Sequence, residues 1–156
     1  MREQTASCPC GQSTFVVCGS PVARFYCHCT ICQSVYGLPR ADVTVLWAKN
    51  VKLSSQRSLR FKKHRSPPAL RRGVCEACGH PVVGFLTLAP FVELAFVPAQ
   101  NYPPSSPLPA PSLHIFYGSR VADVDDALPK LNGYWPSQIA TTQLILSRTL
   151  RKGAAR

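Results

Sequence analysis

Seven of the eight cysteines of this 156-residue chain fall in three tight clusters, and no other feature limits its fold as strongly. The clusters are Cys8-Pro9-Cys10-Gly11, Cys27-His28-Cys29-Thr30-Ile31-Cys32 and Cys75-Glu76-Ala77-Cys78-Gly79, while Cys18 stands alone. What such clusters do depends on the compartment. The N-terminal stretch Met1 to Ser7 has no apolar core of a secretory signal. The most apolar stretch, Pro81 to Val97, contains Pro90 and Glu93 and is shorter than a membrane span. A soluble, cytoplasmic protein with no membrane partner is therefore expected. In a reducing compartment, closely spaced Cys pairs mark metal or redox chemistry more often than disulfides.

The first and third clusters share a shape, a Cys pair followed at once by Gly. A chain that wraps two sulfurs around one ion must turn sharply, and Gly supplies the positive φ that such a turn often needs. Two knuckles of this kind supply the four thiolates of a closed tetrahedral zinc site, so Cys8, Cys10, Cys75 and Cys78 are assigned to one structural Zn²⁺. The alternative is a pair of surface turns with reduced thiols. The middle cluster offers three thiolates, Cys27, Cys29 and Cys32, within six residues and without Gly. Three protein ligands with a fourth position left to water or substrate is the pattern of a catalytic zinc. Thr30 is a candidate cap for a short helix over Ile31 to Tyr36 that ends at Gly37, which places Cys32 in the first turn, where the helix dipole favours a thiolate. The alternative is a second closed site, with Cys18 or a histidine as fourth ligand. If Cys27 to Cys29 is extended, however, His28 points away from both sulfurs. His64, His80 and His114 are isolated in the sequence. Cys18 ends the alternating run Thr14 to Cys18 and reads as a small buried apolar residue. Iron–sulfur ligation fits the ligand type, but nothing in the spacing asks for it.

The rest of the chain reads as mainly β. Short runs bounded by Gly or Pro are expected as strands at Thr14–Cys18, Arg24–Tyr26, Val43–Ala48, Ser58–Lys62, Arg72–Cys75, Val82–Leu86, Phe91–Val97 and Leu113–Tyr117. Asn101 to Ser112 is Pro-rich and reads as a surface loop outside the core. Ser137 to Arg156 mixes apolar and basic residues, and its pattern leaves a short helix and an extended tail both open. The formal charge is +11, with nine Lys or Arg and no acid between Lys49 and Arg72. Seven thiolates on two divalent ions lower that to about +8. A run this basic invites an anionic partner, either a small carboxylate-bearing ligand or nucleic acid. No helix-turn-helix or zinc-finger His pair is present, so sequence-specific DNA reading has little support.

The order C-x-C-G, then C-H-C-x-x-C, then R-R-x-x-C-x-x-C-G resembles the glutathione-dependent formaldehyde-activating enzyme family, which includes centromere protein V-type proteins. The carrying segments are Ser7 to Gly11, Tyr26 to Gln33 and Arg71 to Gly79. Later, His114-Ile115-Phe116-Tyr117-Gly118-Ser119-Arg120 is similar to the family's late strand and turn, and Asp126-Ala127-Leu128-Pro129 to its D-G-L-P element. Val121-Ala122-Asp123 departs from the family's aromatic step, and the Pro-rich loop and the basic tail lie outside its pattern. The resemblance implies a β-tent (Mss-four-like) fold of antiparallel sheets with two zinc sites. Of these, the site at the four knuckle cysteines is closed and the one at Cys27, Cys29 and Cys32 open. It implies a zinc-binding domain over residues 7–135, with 136–156 as a basic C-terminal extension. The implied activity joins formaldehyde and glutathione to S-(hydroxymethyl)glutathione, classed as a carbon–sulfur lyase for the reverse direction.

The leading expectation is thus a zinc-dependent carbon–sulfur lyase or synthase acting on a thiol such as glutathione and an aldehyde. Cys27, Cys29 and Cys32 are its catalytic residues and two Zn²⁺ its cofactors. Three thiolates donate charge to the ion and weaken it as a Lewis acid, which favours thiol chemistry over water activation. The rivals are a non-catalytic zinc module whose basic segments dock nucleic acid or another acidic partner, and a purely structural two-zinc scaffold.

Overall fold

The computed structural model describes residues 3–55, 57–66 and 70–154. Ten strands and two α-helices follow in the order β1 (Glu3–Ser7), β2 (Thr14–Cys18), β3 (Ala23–Cys27), α1 (Thr30–Tyr36), β4 (Ala41–Trp47), β5 (Val51–Leu53), β6 (Leu59–Lys63), β7 (Arg71–Cys75), β8 (Pro81–Ala89), β9 (Val92–Pro98), β10 (His114–Ile115) and α2 (Tyr134–Ala154). The fold is mainly β, with antiparallel and mixed pairing and few helices. The chain divides into two compact units, one of residues Met1–Pro21 and Val45–Leu108 and one of Val22–Thr44 and Pro109–Arg156. Strand β4 contributes to both.

In the first unit, β1, β2 and β5 form an antiparallel sheet in the order β1-β2-β5. Alternation along β2 buries Phe15 and Val17 completely, as a strand with one face on a core should. Strands β6 to β9 pair antiparallel in sequence order. Phe15, Val17, Leu46, Val82, Ala95 and Val97 form the centre of the core, and Cys8 and Cys75 belong to the same cluster. The Cys-Gly knuckles therefore grow directly out of packed apolar strands. Gly73 in β7 has a packing reason: a Cβ there would lie 2.7 Å from the ring of Phe61, which rests against the strand.

The expected strands are present, with ends shifted by a few residues. Two strands lacked a sequence signal. β1 is a polar edge strand in which only Ala6 is buried, and β5 has three residues. Of the stretch expected as Leu113–Tyr117, only His114–Ile115 is strand. Phe116 takes a left-handed φ of 52°, and Tyr117–Ser119 coils into a 3₁₀ turn. The Pro-rich loop has no strand, but it does enter the core. Tyr102 is buried in the apolar cluster with Leu108 packed against it, and the Asn101 amide donates to the Pro81 and Val82 carbonyls at 2.9 and 3.2 Å.

In the second unit, β10 runs parallel to β3 and pairs His114 with Tyr26 and Ile115 with Cys27. The stretch left open at the C-terminus is helical, as α2 of 21 residues. Its buried face is narrow and partly polar: Ser137, Thr141 and Ile145 are buried, and the Ser137 hydroxyl accepts the Phe116 N–H at 2.9 Å. Residues 155–156 of the expected extension lie outside the described residues. No described helix is long and apolar enough to cross a membrane.

Candidate metal centres

The first centre forms where the β1–β2 turn meets the turn after β7. The Sγ atoms of Cys8, Cys10, Cys75 and Cys78 all lie within 4.8 Å of one another. Cys8 to Cys10 is 3.4 Å and Cys10 to Cys75 is 3.7 Å. A Zn–S bond of about 2.3 Å gives a tetrahedral edge of about 3.8 Å, so the four sulfurs already stand close to the spacing that such an ion needs. Gly11 and Gly79 take φ of 76° and 69°, the conformation the two Cys-Gly knuckles were expected to require. Each turn is closed by its glycine, whose N–H donates to the carbonyl of Cys8 or Cys75 at 3.0 and 2.8 Å.

The electrostatics of this centre divide the cysteines into two pairs. Burial works against a thiolate at Cys75. The Ser13 hydroxyl and the N–H groups of Cys78 and Ala77 outweigh it and bring the thiol down to about 6. Cys8 is also lowered, because the Ser13 N–H at 3.4 Å and the Cys10 thiol outweigh burial. At the exposed Cys10, the Gln12 N–H favours the thiolate, but the Cys8 and Cys78 sulfurs push the thiol up to about 12. Negative charge thus gathers on the buried pair, within a cluster of four soft sulfurs. A thiophilic divalent cation is the compensation this donor set calls for.

The second centre lies in the second unit. Its three sulfurs, Cys27, Cys29 and Cys32, lie within 4.8 Å of one another, and no fourth His, Cys, Asp or Glu joins them among the described residues. Strand β3 delivers Cys27, and α1 delivers the other two. The helix ends at Gly37 with φ 61°, as the sequence indicated, but its N-cap is Cys29 and not Thr30. The Cys29 sulfur accepts the Cys32 N–H at 3.3 Å, so one ligand caps the helix that carries the next. Cys27 and Cys32 are buried and Cys29 is half-buried. The Cys29 and Cys32 thiols, and then burial, push the Cys27 thiol well up. A thiol crowded as Cys27 is holds its proton unless a cation replaces it, and so this triad also fits a thiophilic ion. Neither Cys18 nor His28 joins the group. Cys18 is buried, as expected, and its thiol donates to Glu3 at 3.4 Å.

His28 does more than point away from the sulfurs. Its Nε2 meets Nδ1 of His114 at 2.8 Å, and Nε2 of His114 meets the Asp126 carboxylate at 2.8 Å. His28 is 2% exposed and His114 fully buried, with the Tyr117 ring edge-on to both. Lys130 and then His114 hold the Asp126 carboxyl well below the usual range, so this end of the chain is anionic. Burial, and then the positive fields of His114, Arg40 and Arg120, lower His28 to about 4. A ring lowered from 6.5 to about 4 favours the fold fully above pH 6.5, and that contribution is lost as the pH falls through 4. Nitrogen-15 NMR should therefore show His28 neutral at pH 5.5. A charged His28 ring at that pH would break the chain as described. The backbone of His28 is held as well: its N–H donates to Ile115 O at 3.0 Å, and its carbonyl accepts the Gln33 amide at 2.7 Å. Sequence reasoning saw His114 as isolated. The signal it had was Asp126, in the segment similar to D-G-L-P. The two histidines meet because β10 pairs with β3.

A family model described as glutathione-dependent formaldehyde-activating enzyme matches residues 3–119, a span that contains all seven clustered cysteines. No curated protein matches the chain.

Proposed function

Because the chain belongs to the glutathione-dependent formaldehyde-activating enzyme family, we propose that it joins a glutathione-like thiol to formaldehyde or a related aldehyde at Cys27, Cys29 and Cys32. The observation that carries this reading is the triad itself: three converging sulfurs with no fourth protein ligand among the described residues. The family also carries the expectation of a β-tent fold, a catalytic domain over residues 7–135 and Zn²⁺ at both centres, the four-cysteine one structural. Zinc held by three thiolates would lower the pKa of an incoming thiol and present its sulfur to the aldehyde carbon. A C–S bond then forms, and the carbonyl oxygen takes up the equivalent of the proton the thiol gave up. Nothing is oxidised, and the reverse reaction is the lyase direction.

The remaining work belongs to the residues around the triad. Cys29, the only one of the three that is not buried, marks the side open to substrate. The Asp126–His114–His28 chain fixes the residue between Cys27 and Cys29, as outer partners of metal ligands commonly do. One of the two facing ring nitrogens donates to the other, and the tautomer of His28 sets which. Arg40 is the cation of this unit best suited to a glutathione carboxylate. It stacks over Tyr26 at 4.7 Å, its charge acts on His28, and it forms no ion pair among the described residues; Arg24, Arg120 and Lys130 are paired to Asp42, Asp123 and Asp126, and the unpaired Arg148 and Arg151 lie in the last two turns of α2.

Exchange NMR on formaldehyde and glutathione tests the reaction. Catalytic amounts of the protein should speed exchange with S-(hydroxymethyl)glutathione, and an exchange rate equal to that without protein would remove this substrate pair. Arg40→Gln should raise KM for glutathione about tenfold with kcat nearly unchanged, because a carboxylate contact that is the same in ground and transition states affects binding alone. An unchanged KM would take Arg40 out of the substrate site. Asp126→Asn keeps the shape but removes the charge that orients His114. It should lower activity about 10–100-fold and speed metal loss to a chelator. Wild-type rates for both would leave the chain a packing feature.

A further inference from the structure

Helix α2 lies beyond the span shared with the family, which ends at residue 119. It is seated in an unusual way. An amphipathic helix normally turns its apolar stripe to the core. Here Ser137, Thr141 and Ile145 face inward, while Trp135, Ile139, Leu146 and Leu150 are 71, 54, 56 and 73% exposed. At 100° per residue these four side chains fall within an arc of about 60°. An exposed apolar stripe of this kind marks a contact surface.

The charge of the helix indicates what covers it. Between Tyr134 and Ala154 there is no Asp or Glu, while Arg148, Arg151 and Lys152 lie in the last two turns. Arg148 and Arg151 are exposed and have no ion pair among the described residues. A second copy laid stripe to stripe would cover the apolar residues but leave Arg148 and Arg151, which project from other faces of the helix, without an anionic partner, in a chain already at +11. A nucleic acid would satisfy the cations and leave the apolar stripe in water. An anionic bilayer surface satisfies both, with Trp, Ile and Leu at the acyl boundary and Arg148 and Arg151 among the headgroups. We infer that α2 is a peripheral docking surface for anionic lipid. No span is needed, so the contact agrees with the lack of a membrane-crossing helix among the described residues.

The test uses the full chain with vesicles of phosphatidylcholine alone and with about one-third phosphatidylglycerol. The anionic vesicles should carry the protein in flotation, shift its tryptophan emission to the blue, and lose it in high salt. L146E combined with L150E should weaken binding about 100-fold, since each leucine contributes about a factor of ten when buried. Its melting curve should match wild type, because both positions are exposed. If that variant melts early, brominated lipid provides the second readout: quenching should be strong in wild type and largely lost in W135F. Four results would overturn the inference. These are no binding to anionic vesicles in low salt, wild-type binding by L146E/L150E, a dimer that L146E/L150E splits, and RNA binding without vesicle binding.

Discussion

Cys75→Ser is expected to empty the four-cysteine centre and unfold the first unit. Cys75 is fully buried at the end of β7, inside the same cluster as Phe15, Val17 and Val97. Its sulfur carries more of the negative charge than Cys10, with a thiol at about 6 against about 12. The centre ties two turns 65 residues apart in sequence. Without the ion, crowded sulfurs and the N–H groups aimed at them remain inside the protein. Structural zinc sites contribute about 10–16 kcal/mol of apparent binding free energy, against a net stability of about 5–15 kcal/mol for a whole domain. Losing most of the first term exceeds what the remaining packing can offset. If both centres hold zinc, as proposed, zinc content should fall from two per chain to one or fewer, and circular dichroism should show loss of the cooperative β transition. A variant with two zinc ions and a wild-type melt would show that these cysteines do not hold a structural metal.

The second large effect is expected at Cys29, and it should leave the fold intact. Cys29 caps α1 by accepting the Cys32 N–H, and serine is among the best residues for that position. Cys29→Ser therefore keeps the helix start and replaces only the thiolate. Removing outer partners of a metal site costs about 10–100-fold, so losing a ligand from a three-ligand site should cost about 10³-fold in thiol–aldehyde exchange. The melting temperature should change little, and metal analysis should show one ion retained, at the four-cysteine centre. Full activity in Cys29→Ser would place the reaction elsewhere. Activity lost together with the fold would return Cys29 to a structural role. The contrast between the two substitutions is the useful result: the same Cys-to-Ser change unfolds one unit and silences the other.

Some of this was readable in the sequence because the chemistry is local. A Cys pair and the Gly that follows it define a knuckle within five residues, and both glycines take the positive φ that the turn needs. The strand at Thr14–Cys18 and the stop at Gly37 are equally local, one a two-residue alternation and the other a left-handed cap. Where residues did not declare themselves locally, the reading failed. Strand β1 is polar and owes its existence to pairing with β2. Thr30 looked like the natural cap, but the cap is Cys29, because a sulfur already held near Cys27 and Cys32 is where the free N–H groups point.

The sequence by itself determined the two sets of cysteines that could hold a metal, the mainly β character and the family. Each depends on residue type and spacing over a few positions. Only the tertiary structure decided that Cys8 and Cys75 meet in one core, that His28 and His114 hydrogen-bond across 86 residues of sequence, and that α2 turns its apolar stripe outward. Strand pairing and helix seating bring distant groups together, and their free energy comes from burial and hydrogen bonds that no short window of sequence contains.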